Sequence, residues 1–223
     1  KASENSHPLL NPLDDSSSLG VEMKKTANKL MINILVSLIM TLGSFLNVQA
    51  LSKTSMRVDS QSIQQAVNAA QVGATIIVPA GTYSETVRIS KNNLTIRCAQ
   101  SRKCTVLKFE VWGSGNTVEG FVTSGGSIAG YDVRAQNNTI RDTEITDIKI
   151  ASGDANGIIL FGTGHVFDNI YIHGIDQYAF GDPHQDCFQT WDVPARGGAA
   201  SFITISNVLC DMPQSGSSIS KAL

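Results

Sequence analysis

The chain has 223 residues, with 17 Lys or Arg against 19 Asp or Glu, so its formal net charge at pH 7 is −2. This near balance, without any basic block, leaves no electrostatic footprint for nucleic acid and argues against nucleic-acid binding. The part that follows residue 50 has the length of one domain.

Two segments at the start of the chain are expected to lie outside that domain. Residues 1–22 are polar and lack an initiating Met, and we interpret them as a non-native upstream or read-through segment. From Met23 the chain runs through several lysines, an apolar stretch over residues 30–46 and a small residue at Ala50. This order predicts a bacterial-type signal peptide over 23–50, and therefore a secreted or periplasmic protein without a membrane contact after cleavage. The alternative is a transmembrane anchor; a lipoprotein is disfavoured because no Cys follows the cleavage site.

A short helix is predicted at the start of the domain. The apolar residues that recur there at helical spacing are Ile63, Ala66, Val67 and Ala70. Ser60 or Ser62 is the predicted N-cap, and Gly73 lies past the end. Strands are predicted next over 75–78, 86–89 and 94–97, with a Pro/Gly turn at 79–83.

The stretch SIQQAVNAAQVGATIIVPAGTYSETVRISKNNLTIRC, residues 62–98, combines that helix with those strands. It resembles the N-terminal cap and first coil of the pectin-lyase-like right-handed parallel β-helix proteins. The resemblance implies an all-β solenoid with a short N-terminal capping helix, and it says little about activity. We expect the β-helix domain over 51–223, with the cap over 60–83 and coils over 84–223 that are incomplete at the C-terminal end.

A short phrase recurs along the chain and predicts how coils stack. It begins at Val118, Ile140, Phe167 and Ile205, and Ile96 would open the series. Its first, fourth and sixth residues are expected inside, because a coil buries its apolar face only against neighbouring coils. The third residues are Gly120, Asp142, Asn169 and Asn207. These types tolerate a left-handed backbone at a sharp bend, and we expect them to form a polar ladder inside one corner.

A second strand precedes each phrase and predicts an exterior groove. Aligning Val111, Val133, Leu160 and Thr190 as inward residues leaves two outward rows. The rows are Glu110, Asp132, Ile159, Gln189 and Trp112, Arg134, Phe161, Trp191. Exposed rings in a row mark a binding surface, so the predicted sugar-binding residues are Trp112, Arg134, Phe161, Trp191 and Asp132. The alternative is that the insertion at 192–200 folds over those rings.

The cysteines suggest one disulfide. Cys98 and Cys104 bracket a short loop after a strand, and in an exported protein that spacing favours a disulfide between them. Cys187 and Cys210 fall on different strands of the repeat, so their pairing stays open.

Residues 175–191, IDQYAFGDPHQDCFQTW, leave the repeat and concentrate groups that can carry chemistry. β-Elimination from a uronic acid needs a group that offsets the carboxylate, a base for the proton at carbon 5 and an acid for the leaving oxygen. Residues 178–185 resemble the YGFDPHE motif of bacterial mannuronan C5-epimerases. The resemblance implies Tyr178 and His184 as the acid/base pair and Asp182 as the residue that faces the carboxylate, although Gly181 is extra and Gln185 replaces Glu.

An overlapping string, HxDxxQ, adds Asp186 and Gln189 to the catalytic candidates. The string runs from His184 to Gln189, and such a string is associated with secreted β-helix proteins. The alternative is a structural turn whose Asp side chains cap backbone amides. No cofactor is required by the pattern, although Asp154, Asp176, Asp182 and Asp186 are oxygen ligands of the kind Ca²⁺ takes.

These observations predict a secreted, monomeric right-handed parallel β-helix that acts on an acidic polysaccharide as a lyase or C5-epimerase. One alternative is a glycoside hydrolase that uses Asp182 and Asp186 as its carboxylate pair. Another is a non-catalytic carbohydrate-binding or adhesin-like solenoid.

Overall fold

The computed structural model describes residues 24–25, 28–34, 54–58, 62–149, 153–175 and 185–212. The chain divides into a unit of residues 1–52 and a unit of residues 53–223. In the first unit, the described residues 24–25 and 28–34 are helical. No helix among the described residues has both the length and the apolar character needed to span a membrane. The signal peptide at 23–50 stays a prediction.

The described part of the second unit contains one α-helix, α1 (Ile63–Ala69), one 3₁₀ turn (Pro194–Arg196) and thirteen β-strands. The strands are β1 (Ser55–Arg57), β2 (Thr75–Val78), β3 (Gly81–Ile89), β4 (Thr95–Cys98), β5 (Cys104–Val111), β6 (Thr117–Glu119), β7 (Phe121–Ser124), β8 (Ile128–Val133), β9 (Thr139–Thr146), β10 (Ala155–Leu160), β11 (Val166–His173), β12 (Phe188–Gln189) and β13 (Thr204–Asp211). All pair in parallel within one sheet, so the predicted all-β parallel stacking is confirmed.

Successive passes of the chain stack as coils with three faces. The first face carries the row Met56, Ile76, Ile96, Val118, Ile140, Phe167 and Ile205. The second face carries Tyr83, Val106, Thr123, Ile145, Ile172 and Cys210. The third face carries Val87, Phe109, Tyr131, Ile158 and Phe188. The first row confirms the register predicted from the repeated phrase, including Ile96 as its opening member.

The core lies between the three faces. Phe109 stacks on Tyr131 with ring centroids 5.4 Å apart and meets Phe121 edge-on at 4.9 Å. The Tyr131 hydroxyl lies 2.9 Å from Thr143 Oγ1, so this buried polar group keeps a partner. Burial raises the pKa of Tyr131, which keeps the phenol neutral. Aromatic rings from two faces thus fill the interior, with one hydrogen-bonded hydroxyl among them.

Helix α1 forms where the sequence predicts it, packs against β3 and β2, and buries Ile63, Ala66 and Val67. Its role as a cap of the stack stays a prediction. Ser62 is the N-cap: its side chain accepts from the Gln65 N–H, and Gln65 Oε1 accepts from the Ser62 N–H. The Glu85 carboxylate of β3 accepts the next two free N–H groups, those of Ile63 at 2.9 Å and Gln64 at 3.1 Å. A carboxylate at a helix N-terminus also favours the helix dipole.

The bends that follow the first face have the backbone that the sequence predicts. φ is 79° at Gly120 and 53° at Asp142, Asn169 and Asn207, all in the left-handed region. Asn169 Nδ2 donates to Asp142 Oδ1 over 2.7 Å, so neighbouring coils are linked. The expectation that this ladder lies inside the corner is wrong, because Asn169 and Asn207 are exposed.

A different polar ladder is buried at the corner that precedes the first face. Asn116 Oδ1 accepts the Leu94 N–H at 2.9 Å, and Asn138 Oδ1 accepts the Asn116 N–H at 2.8 Å. His165 continues the ladder: Nδ1 accepts the Asn138 N–H at 3.1 Å, and Nε2 lies 2.8 Å from the Phe161 carbonyl oxygen. Both ring nitrogens of His165 therefore have partners within the chain. Burial lowers the pKa of His165.

Two disulfides cross-link the described part of the chain. The predicted Cys98–Cys104 bond is present, with Cα atoms 5.7 Å apart. Cys187 and Cys210 also pair, with Cα atoms 6.1 Å apart. The second bond joins Cys187, the residue directly before β12, to Cys210 of β13.

Candidate functional site

The outer side of the third face carries the predicted groove row. Strand pairing places Arg88, Glu110, Asp132, Ile159 and Gln189 side by side on successive coils. The predicted alignment of Glu110 through Gln189 is therefore confirmed, and Arg88 extends it by one coil. Adjacent parallel strands lie about 4.8 Å apart, so this row presents one side chain at each such step.

The first two members of the row form a cross-coil ion pair. Arg88 Nε donates to Glu110 Oε2 over 2.6 Å, and Lys108 Nζ lies 3.8 Å from Glu110 Oε1. The Arg88 side chain is 52% exposed, whereas Glu110 and Lys108 are largely covered. Arg88 is thus an oriented cation that solvent or a ligand can reach.

Asp132 and Arg134 form a two-pronged pair on the next coil. Arg134 Nε and Nη2 donate to the two Asp132 oxygens over 3.0 and 2.7 Å. Asp132 is nearly fully buried, and both of its oxygens accept from the guanidinium group. Asp132 therefore holds Arg134 in place instead of pointing freely into the groove.

The Trp112 ring is covered by cations. The Arg88 and Arg134 guanidinium carbons lie 4.0 and 4.1 Å from its centroid, one from the coil before and one from the coil after. Both contacts are within the range of a cation–π interaction. The prediction that Trp112 offers an open ring to a sugar is therefore wrong, because the ring already contacts two guanidinium groups.

The insertion covers Phe161, as the alternative prediction had it, whereas Trp191 stays partly exposed. Phe161 is fully buried, pairs with Ala199 by a backbone bridge and meets Trp191 edge-on at 4.8 Å. Arg196 of the insertion lies 5.2 Å above the Phe161 ring. Phe161 as a sugar-stacking ring is wrong, because the chain itself occupies its surface. Trp191 remains 39% exposed.

Asn156 is a site residue that the sequence analysis missed. It is fully buried, its Nδ2 donates to Gln189 Oε1 over 2.8 Å, and its Oδ1 accepts the Asp186 N–H over 2.9 Å. One amide thus fixes the positions of two catalytic candidates. The residue type alone suggests only a turn. The strand alignment could have identified Asn156, because it places this residue beside Asp186 on the preceding coil.

The remaining predicted site residues fall into two groups, those outside the described residues and those within them. Tyr178, Asp182, His184 and Asp176 lie outside the described residues. Asp186 and Gln189 are half-buried at the C-terminal end of the row, and Asp154 lies near the start of β10. In the part of the chain that the structure describes, no three His, Cys, Asp or Glu side chains are placed to hold a metal ion. The calcium hypothesis at Asp154 and Asp176 stays a prediction.

No family model, curated protein or solved structure matches this chain. The chemistry of the site must therefore be inferred from its own groups. Arg88, Lys108 and Arg134 place three cations on neighbouring coils, with Glu110 and Asp132 as internal counter-charges. Guanidinium groups held in this way suit carboxylate recognition, because each donates several hydrogen bonds in a fixed plane.

Proposed function

We propose that this chain is an exported right-handed parallel β-helix protein that binds an acidic polysaccharide along its third face and acts on it as a lyase or C5-epimerase. The three-faced parallel register supports the β-helix, and parallel strand connections are right-handed in nearly all proteins. Two disulfides and the signal-like segment support export.

The observation that carries the substrate class is the pair of guanidinium groups around Trp112. A polyuronide presents a carboxylate on every sugar, and cations repeated from coil to coil can meet carboxylates repeated from sugar to sugar. The Trp112 ring and the two internal carboxylates fix the guanidinium groups before a ligand arrives. Less conformational freedom is then lost on binding.

The reaction follows from what a uronic acid needs. A guanidinium group that faces the substrate carboxylate lowers the cost of removing the proton at carbon 5, because it offsets the charge that develops. His184 and Tyr178 would supply the base and the acid, with Asp182 beside the carboxylate. Asp186 and Gln189, which Asn156 holds at the end of the row, would position the sugar.

Product analysis tests the proposal. The purified protein is incubated with alginate, pectate and a glycosaminoglycan, and the ultraviolet absorbance of unsaturated uronide is followed. A lyase raises that absorbance, whereas an epimerase leaves it unchanged and adds guluronate signals to the proton spectrum of alginate. Loss of the activity in His184→Ala supports the assigned site.

Other products would contradict the proposal. New reducing ends without unsaturated uronide would indicate a glycoside hydrolase. Absence of every product, together with retained binding, would indicate a non-catalytic solenoid. His184→Ala with full activity would place the chemistry elsewhere.

A further inference from the structure

A second group of chemically active side chains lies on the outer side of the second face, away from the third-face row. Strand pairing aligns Glu144 with Tyr171 in one outward row and His173 with Asp211 in the next, and Thr146 lies beside His173. We name these five residues the Tyr171 cluster. They come from three consecutive coils, β9, β11 and β13.

The rings at the centre of the Tyr171 cluster are held in a fixed arrangement. The Tyr171 and His173 rings stack with centroids 4.1 Å apart and planes 20° apart. His173 Nε2 lies 3.0 Å from Glu144 Oε1, and Nδ1 lies 3.4 Å from Thr146 Oγ1. The Tyr171 hydroxyl lies 3.4 Å from Asp211 Oδ2. Each ring is therefore tied at its edge by a neighbouring coil.

These groups remain within reach of a ligand. The side chains of His173 and Glu144 are 27% and 29% exposed, and Asp211 is exposed. Leu209, which follows Tyr171 in the same outward row, is 60% exposed and extends the apolar surface. An aromatic and aliphatic platform edged by carboxylates suits a sugar, whose C–H face packs on the platform while its hydroxyls donate to the carboxylates.

The charge of this surface selects the kind of sugar. The outward residues are Val122, Glu144, Tyr171 and Leu209 in one row, with the aligned pairs Ser124–Thr146 and His173–Asp211 beside it. They include two carboxylates and neither Lys nor Arg. A uronate placed there would face Glu144 and Asp211 at close range, and like charges repel.

We propose that the Tyr171 cluster is a binding site for a neutral glycan, separate from the acidic polysaccharide of the third face. Tyr171 and Leu209 form its apolar platform, and Glu144 and Asp211 accept hydrogen bonds from sugar hydroxyls. The proposal stands independently of the proposed function, because no residue is shared between the two surfaces.

Nuclear magnetic resonance tests the site directly. The ring C–H signals of His173, assigned by their loss in His173→Gln, are followed while cellohexaose, mannohexaose or polygalacturonate is added. We expect a saturable shift with a neutral hexasaccharide and none with polygalacturonate. Tyr171→Ala should weaken the binding by about tenfold or more, as expected for loss of a central aromatic contact.

Thr105→Ala is the matched control, since Thr105 is an outward residue of the same face two coils before Glu144. It should leave the affinity unchanged, as should Arg88→Gln on the third face. The proposal is overturned if neither neutral hexasaccharide shifts the His173 signals, if polygalacturonate competes for them, or if Tyr171→Ala binds as tightly as the wild type. A folded Tyr171→Ala variant is verified by the unchanged signals of its core methyl groups.

Discussion

Replacement of His165 by Asn should remove a specific part of the pH dependence of stability. His165 stands where Asn116 and Asn138 stand in the preceding coils, and it makes the same two kinds of contact. Its Nδ1 must be unprotonated to accept the Asn138 N–H, while Nε2–H donates to the Phe161 carbonyl. An Asn side chain offers one acceptor and one donor in the same way, without a titrating group.

The sign of the effect follows from linkage. Burial lowers the pKa of His165 below its ordinary value of 6.5 in the folded state. As the pH falls through 6.5, the unfolded chain takes up a proton that the folded chain does not, so the stability falls. The stabilisation that neutral His165 contributes is fully present above pH 6.5. It is lost as the pH falls from 6.5 to the lowered pKa of the folded state. One such group changes the free energy of unfolding by at most about 1.4 kcal/mol per pH unit.

Urea unfolding of the wild type, His165→Asn and His165→Leu measures this directly. His165→Asn should match the wild type near neutral pH and lose less stability about one pH unit below 6.5, by roughly 1 kcal/mol. His165→Leu leaves a buried N–H and a buried C=O without partners, each at a cost of about 1–3 kcal/mol at every pH. Equal pH slopes in the wild type and His165→Asn would refute the claim that His165 is held neutral.

Two further stability predictions concern the cap and the disulfides. Glu85→Ala should lower the free energy of unfolding by about 0.5–2 kcal/mol, because two N–H groups of α1 lose their acceptor, and Glu85→Gln should restore part of it in a urea titration; no change would show that water satisfies those groups. Loss of the Cys187–Cys210 bond, which spans 23 residues, should destabilise more than loss of the Cys98–Cys104 bond, which spans 6. The chain-entropy relation gives about 3.4 and 2.2 kcal/mol; the reverse order for the two double Ser variants would contradict it.

The repeat could be predicted from the sequence because equivalent positions of stacked coils share one environment and therefore need similar residue types. The phrases at Val118, Ile140 and Phe167 align because their first residues must be apolar to fill the same interior row. Left-handed bends need Gly, Asn or Asp, so Asn169 and its equivalents were recognisable by type. Periodicity therefore predicted the register, although β3 begins at Gly81, inside the predicted turn.

The site was less predictable because contacts between distant segments decide it. Strand alternation correctly placed Trp112 and Phe161 outside, but it could not show that guanidinium groups flank the first ring or that the insertion covers the second. From the sequence alone, Asn156 could not be distinguished from an ordinary turn residue. Its partner Gln189 lies 33 residues later in the chain, and the two side chains meet only in the folded protein. Pairing of Cys187 with Cys210 was likewise open, since it depends on how two faces meet at the end of the stack.

Arg88→Gln and Arg141→Gln form a matched pair that locates the substrate surface. Each Arg bonds a Glu on the preceding or following coil, Glu110 or Glu119, and the side chains are 52% and 49% exposed. Arg88 lies on the third face over Trp112, whereas Arg141 lies on the first face. Both substitutions remove one positive charge, and they differ in the face that loses it.

The most direct test of the central claim is the affinity of these two variants and the wild type for a polyuronide, measured by calorimetry at one salt concentration. Arg88→Gln should bind about tenfold more weakly, as expected for loss of one charge-assisted hydrogen bond of about 1.5 kcal/mol. Arg141→Gln should bind like the wild type. Equal affinities in all three proteins, or an equal loss in both variants, would contradict binding along the third face.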